Sequence, residues 1–305
     1  MTRVKGSSIP YFTYEEYYRE TPVKVNGVEQ GWKVDTVEDD YRYSGTRYMN
    51  YAEAYNGVSR YVTFTYDKTE AWTGTTITGD SNAQSFIDKL KTDKTAKVLF
   101  YGDSITVGCN ASGTQWGGNR NPFLPAWDNL VVNSLEKLYG ATITKYNVAV
   151  GGWTTAQGAE NLNSQVSSAG ASLAEIDLFV IAFGMNDPAT PREQYRDMVR
   201  EMIDKVHAAL PNTDVMLVSS ILPNNESDEW WFANQCIFHE DLAVIEKEYP
   251  FVGFANVTVM QAYMLEKGKR YRDMTANNIN HPNDFAQRLY AQVILAAVIG
   301  KDFDL

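Results

Sequence analysis

The chain has little of what most metal and redox sites are built from. It carries two cysteines, Cys109 and Cys236, far apart and without metal-ligand spacing, which reads as free thiols of a reducing compartment. It has three histidines, His207, His239 and His281, and neither a His-Glu-x-x-His nor a Cys-x-x-Cys motif, so no metal and no cofactor is expected. No apolar stretch approaches the ~20 residues that a bilayer-spanning helix needs. Basic residues are outnumbered, and the net charge of −11 argues against nucleic acid and anionic membrane as partners. Residues 1–10 have no apolar core and do not read as a signal peptide, so the expected location is cytoplasmic unless a leader has been removed. The oligomeric state is not set by anything in the sequence.

Aromatic residues, by contrast, are plentiful at 13% of the chain. That suits heavy packing in β structure or a surface that stacks on flat ligands. Two compositional regions follow one another. Residues 1–80 are rich in Tyr, Val and Thr, punctuated by Gly, Asn and Asp, and stretches such as 32–37 and 60–66 alternate as half-buried strands do. They predict a small β-rich accessory domain of sandwich or jelly-roll type. From 81 to 305 the pattern becomes strand–helix alternation. Strands are expected at 97–101, 142–150, 178–183, 214–220 and 253–257, with helices at 83–91, 126–138, 155–167, 193–209, 236–248 and 284–299. Five strands joined by helical crossovers imply an α/β domain, a parallel sheet covered on both faces.

The buried strand at 97–101 stops abruptly at Gly102-Asp103-Ser104-Ile105-Thr106. A serine just past the carboxyl end of a buried strand stands at the rim where open α/β sheets bind ligands. Three more short stretches fall at later strand ends or before the last helix. These are Asn147-Val148-Ala149-Val150-Gly151-Gly152-Trp153-Thr154, Gly184-Met185-Asn186-Asp187, and Asn278-Ile279-Asn280-His281-Pro282. Each has a bland reading: Ser104 as a helix N-cap, Gly151-Gly152 as a flexible loop, Asn186-Asp187-Pro188 as a turn, His281 as a packed side chain. Their order along the chain favours a common site.

In that order the blocks resemble the SGNH, or GDSL-type, hydrolases, esterases on a flavodoxin-like sheet; the resemblance covers about residues 95–300. It implies Ser104 as nucleophile and His281 as base. It also implies the Gly152 backbone N–H and the Asn186 amide as oxyanion donors, with the Ser104 N–H as a third. The chemistry agrees: a serine hydroxyl needs an imidazole to take its proton, and fixed donors stabilise the carbonyl oxygen as it turns anionic. One position departs from the family, which has an aspartate three residues before the histidine where this chain has Asn278. Three readings stay open there. They are a Ser–His dyad aided by Asn278 or a carbonyl, an acid from elsewhere (Asp273, Asp228 or Glu229), and a weakened enzyme. Asp103 allows a rival role in phosphoryl transfer, although bracing the turn suits it better.

Substrate is argued from loops. Trp116, Trp153, Trp230 and Trp231 are candidate substrate-binding residues on the Ser104 rim, and residues 224–231 are polar with aromatic anchors, as suits a glycan. With the β-rich domain, this resembles plant-polysaccharide deacetylases. The expected activity is removal of acetyl groups from carbohydrate, the partner being an acetylated oligosaccharide or another small acyl ester. The alternatives are a short-chain acyl esterase or thioesterase without sugar preference, and a non-catalytic glycan-binding module.

Overall fold

A strand buried on both faces must be apolar on both, and the central strands of the second region largely are. In a computed structural model, the residues described are 83–119, 122–224, 233–266, 269–277 and 279–300, together with four short strands nearer the N-terminus. Those four are β1 (Thr21–Val25) paired antiparallel with β2 (Val28–Lys33), and β3 (Arg42–Tyr43) paired antiparallel with β4 (Arg47–Tyr48). The first pair includes the start of the stretch expected at 32–37; the strand expected at 60–66 and most of the 1–80 unit lie outside the described residues.

The chain continues through α1 (Gln84–Thr92), β5 (Thr95–Gly102), the one-turn α2 (Ser104–Val107), α3 (Trp127–Tyr139), β6 (Thr142–Asn147) and α4 (Thr155–Ser168). It then forms β7 (Leu178–Ala182), α5 (Arg192–Ala209), β8 (Asp214–Val218), α6 (Phe238–Glu246), β9 (Val252–Ala255), α7 (Val257–Glu266), α8 (Tyr271–Met274) and α9 (Asp284–Ile299). Strands β5 to β9 form one parallel sheet in the order β6-β5-β7-β8-β9, the flavodoxin-like arrangement. Every residue of β7 and β8 is buried.

Alternate residues feed two cores. Val98, Phe100, Val180, Met216 and Val218 pack with α1, α3 and α9 on one face. Leu99, Tyr101, Phe179, Ile181 and Leu217 pack with α4, α5 and α6 on the other. The apolar stripe Tyr195, Met198, Met202 and Val206 of α5 lies in the second core as its spacing predicts. Several elements differ from expectation: the strand expected at 142–150 ends at Asn147, that expected at 214–220 ends at Val218, and the one-turn helix α8 was not expected. The 253–257 strand ends at Ala255 and Val257 opens α7, a helix that its β-branched start disguises. Expected helix 236–248 begins only at Phe238, after a 3₁₀ turn over Asn234–Cys236. Among the described residues no helix is long and apolar enough to cross a membrane.

Candidate active site

Strand β5 delivers Gly102-Asp103-Ser104 to the carboxyl edge of the sheet, beside the switch point where the chain leaves β5 for β6 on one side and β7 on the other. Position 102 has to be glycine. A Cβ there would stand 2.2 Å from Thr106 Oγ1 and 2.4 Å from the Ala182 carbonyl oxygen on β7. Asp103, fully buried, caps α2 by accepting the Ile105 N–H on Oδ1 at 2.9 Å. Ser104 is therefore the first helical residue and not the cap. Below it, Trp127 Nε1 donates to the Ile105 carbonyl at 3.1 Å, and the indole meets Phe100 edge-on and stacks on Tyr290. A single helical turn is marginal alone; this packing holds it.

Burial pushes the Asp103 carboxyl up to about 7, and nearby Asp187 adds repulsion, against the opposing Ile105 N–H. Among the described residues its Oδ2 has no hydrogen-bond partner. A carboxyl without exposed surface cannot meet a phosphoryl group, so Asp103 braces the turn. Asp187, also lifted by burial, accepts the Thr155 N–H at 3.0 Å and the Thr155 hydroxyl at 2.8 Å, tying the loop after β7 to the start of α4.

His281 arrives on the loop before α9, and that loop is built tightly. Asn277 Oδ1 accepts the N–H groups of Ile279, Asn280 and His281 at 3.0, 3.0 and 2.9 Å. The His281 carbonyl accepts the Ala276 N–H at 2.8 Å, and Asn283 caps α9 through the Ala286 N–H at 3.1 Å. The ring ends with Nε2 2.9 Å from Ser104 Oγ and Nδ1 2.7 Å from Asn110 Oδ1. With the amide oxygen toward Nδ1, the ring proton sits on Nδ1, and Nε2 accepts from the serine hydroxyl. An imidazole so placed can take the proton of an attacking serine.

The other blocks adjoin this pair. A Cβ on Gly151 would be 3.8 Å from Ser104 Cβ, so the turn after β6 passes beside the serine. Gly152 in that turn has φ +80, a conformation that suits glycine. Asn186, half-buried, donates from Nδ2 to the Trp153 carbonyl at 3.0 Å, joining the loops after β6 and β7. The Trp153 ring packs edge-on against Tyr101, part of the core, whereas Trp116 is 59% exposed on the loop after α2. Trp230, Trp231, Asn278, Asp228 and Glu229 lie outside the described residues. Asp273 is engaged elsewhere: its Oδ2 accepts the Arg270 N–H at 2.9 Å at the start of α8. Sequence reasoning missed Asn110. Its only signal is a polar residue shortly after the serine, in a loop rich in Gly and Asn. His207 stacks on Phe251 and His239 bonds the Cys236 carbonyl, both on helices as expected. Among the described residues no group of three or more His, Cys, Asp or Glu could hold a metal ion.

A serine bonded to a histidine at the edge of a sheet of this order, flanked by a glycine turn and an asparagine loop, defines the SGNH class of hydrolase. The sequence agrees: the profile of the GDSL-like lipase/acylhydrolase family matches residues 100–289, more than half of the chain. The chain belongs to that family and is a carboxylic ester hydrolase. No curated protein matches it. Among solved structures, an acetyl xylan esterase from Geobacillus stearothermophilus is 18% identical with a TM-score of 0.52, covering 69% of this chain and 97% of its own. A two-domain esterase active on acetylated mannans is 22% identical with a TM-score of 0.57, covering 75% of this chain and 55% of its own. An α/β hydrolase from the metagenome of Lake Arreo, Spain, is 16% identical with a TM-score of 0.51, covering 67% and 94%. These likenesses establish the fold.

Proposed function

We propose that the protein removes acetyl groups from carbohydrate through an acyl-enzyme on Ser104. The observation that carries the reading is the 2.9 Å contact between Ser104 Oγ and His281 Nε2 at the carboxyl edge of the sheet. Ser104 Oγ attacks the acetyl carbonyl as its proton passes to Nε2. The carbonyl oxygen becomes an oxyanion facing the N–H groups of Ser104 and Gly152 and the Asn186 amide. Collapse breaks the bond to the sugar oxygen, which leaves with the proton from Nε2. Water then attacks the acetyl-Ser104 carbon, giving its proton to His281, and acetate departs while Ser104 recovers its proton. Residues 81–305 form the hydrolase unit in this reading and 1–80 the β-rich accessory unit.

The acetylated-sugar part is supported by the activities of the xylan and mannan esterases that share the fold, and by Trp116, whose exposed indole suits the face of a sugar ring. The test is turnover of acetylated xylo- and manno-oligosaccharides beside 4-nitrophenyl acetate, by wild type and Ser104→Ala. Wild-type activity lost in the folded variant supports the acyl-enzyme. A kcat/KM no better on the oligosaccharides than on the simple ester would remove the sugar preference.

A further inference from the structure

We infer that Asn110 is a positioning residue of the reaction, holding His281 through its Nδ1; this rests on the esterase reading above. Three features of residue 110 point one way. Its Oδ1 stands 2.7 Å from His281 Nδ1, closer than Ser104 Oγ stands to Nε2 at 2.9 Å. Its backbone has φ +69, a left-handed conformation that asparagine tolerates better than most side chains. Its amide Nδ2 is buried without a hydrogen-bond partner among the described residues. A buried donor left unpaired is unfavourable, and an apolar side chain would avoid it. The side chain is worth that cost for its oxygen.

The loop is fixed to the element that carries the histidine. The Ser112 N–H donates to Asp284 Oδ1 at 2.8 Å, and the Leu124 N–H donates to Ser112 Oγ at 2.9 Å. Asp284 opens α9, three residues after His281. Asn110 and His281 are thus both referenced to the first turn of α9, which sets their separation before substrate arrives. The amide oxygen accepts the Nδ1 proton and so leaves the Nε2 lone pair toward Ser104. Being neutral, it adds no attraction for the imidazolium formed during attack, where an aspartate would.

The experiment measures kcat and KM for 4-nitrophenyl acetate from pH 5 to 10 with wild type, Asn110→Gly, Asn110→Asp and Ser104→Ala. Glycine removes the oxygen without straining a left-handed backbone, and aspartate keeps the acceptor; circular dichroism checks that each folds. Asn110→Gly is expected to lower kcat about tenfold to a hundredfold, the worth of a buried hydrogen bond, with KM within about twofold. Asn110→Asp is expected to recover kcat at high pH and to move the acid limb of the kcat profile upward by about one pH unit, because a carboxylate raises the imidazole pKa. Wild-type kcat in Asn110→Gly would overturn the inference. So would an unmoved acid limb in Asn110→Asp. Activity retained by Ser104→Ala would instead sink the esterase reading and this inference with it.

Discussion

Replacing Asp103 by asparagine should make the protein more stable at neutral pH, although it removes a residue of the sequence block that first marks the site. The carboxyl has no exposed surface, its Oδ2 finds no hydrogen-bond partner among the described residues, and Asp187 repels its charge. Burial therefore lifts it from its usual value near 4 to about 7. Between those two values the unfolded chain has released its proton while the folded protein still holds it. Stability must fall as pH rises through that window, and the loss is complete once pH exceeds about 7. At about 1.4 kcal/mol per pH unit, ionising Asp103 withdraws on the order of 4 kcal/mol. Asparagine is close in size, keeps the oxygen that caps Ile105, and does not titrate. The advantage of Asp103→Asn over wild type, read from urea midpoints, should grow by about 3–4 kcal/mol between pH 4 and pH 8. Asp214, which burial also raises, to about 6, is present in both proteins and cancels in the difference. A stability difference that stays flat across that range would show that Asp103 is not held protonated by its surroundings, and the argument would fail.

Three further outcomes follow from the same contacts. Asn186→Ala should lower kcat by about 10²–10³ with little change in KM, the usual cost of one oxyanion donor; an unchanged kcat in steady-state assays would take Asn186 out of that role. Gly102→Ala would place a methyl 2.2 Å from Thr106 Oγ1 and 2.4 Å from a backbone oxygen. It should cost about 3 kcal/mol or more and lower the melting temperature, and a variant melting with wild type would refute the close approach. Asp241, buried between α5 and α6, pairs with Arg192 Nε at 2.9 Å and Arg196 Nη1 at 2.8 Å. Because the arginines are partly in water, Asp241→Asn should cost about 2 kcal/mol, and chemical denaturation showing no loss would mean that water replaces the pair fully.

How legible the site was depends on how local its signals are. Ser104 was readable because a buried strand ends at Gly102, two residues before it, and strand periodicity is a property of neighbouring residues. His281 was readable because Pro282, Asn283 and Asp284 mark the start of α9, and the helix begins at Asp284 as expected. The bond between them spans 177 residues and rests on the sheet order alone. Once β5 lies beside β7 and α9 packs on the first core, the two loops have to meet. Asn110 was not readable for a related reason. Its role depends on a left-handed backbone, on Ser112 reaching Asp284, and on a histidine 171 residues away, none of which leaves a periodic trace. The residue three before the histidine, Asn278, lies outside the described residues. Here Asn277 does the local work, holding the loop through three backbone N–H groups, and the acceptor for the ring nitrogen comes from the loop after the nucleophile. Fixing where the histidine sits and fixing which way its proton points are separate problems, and this chain gives them to different asparagines.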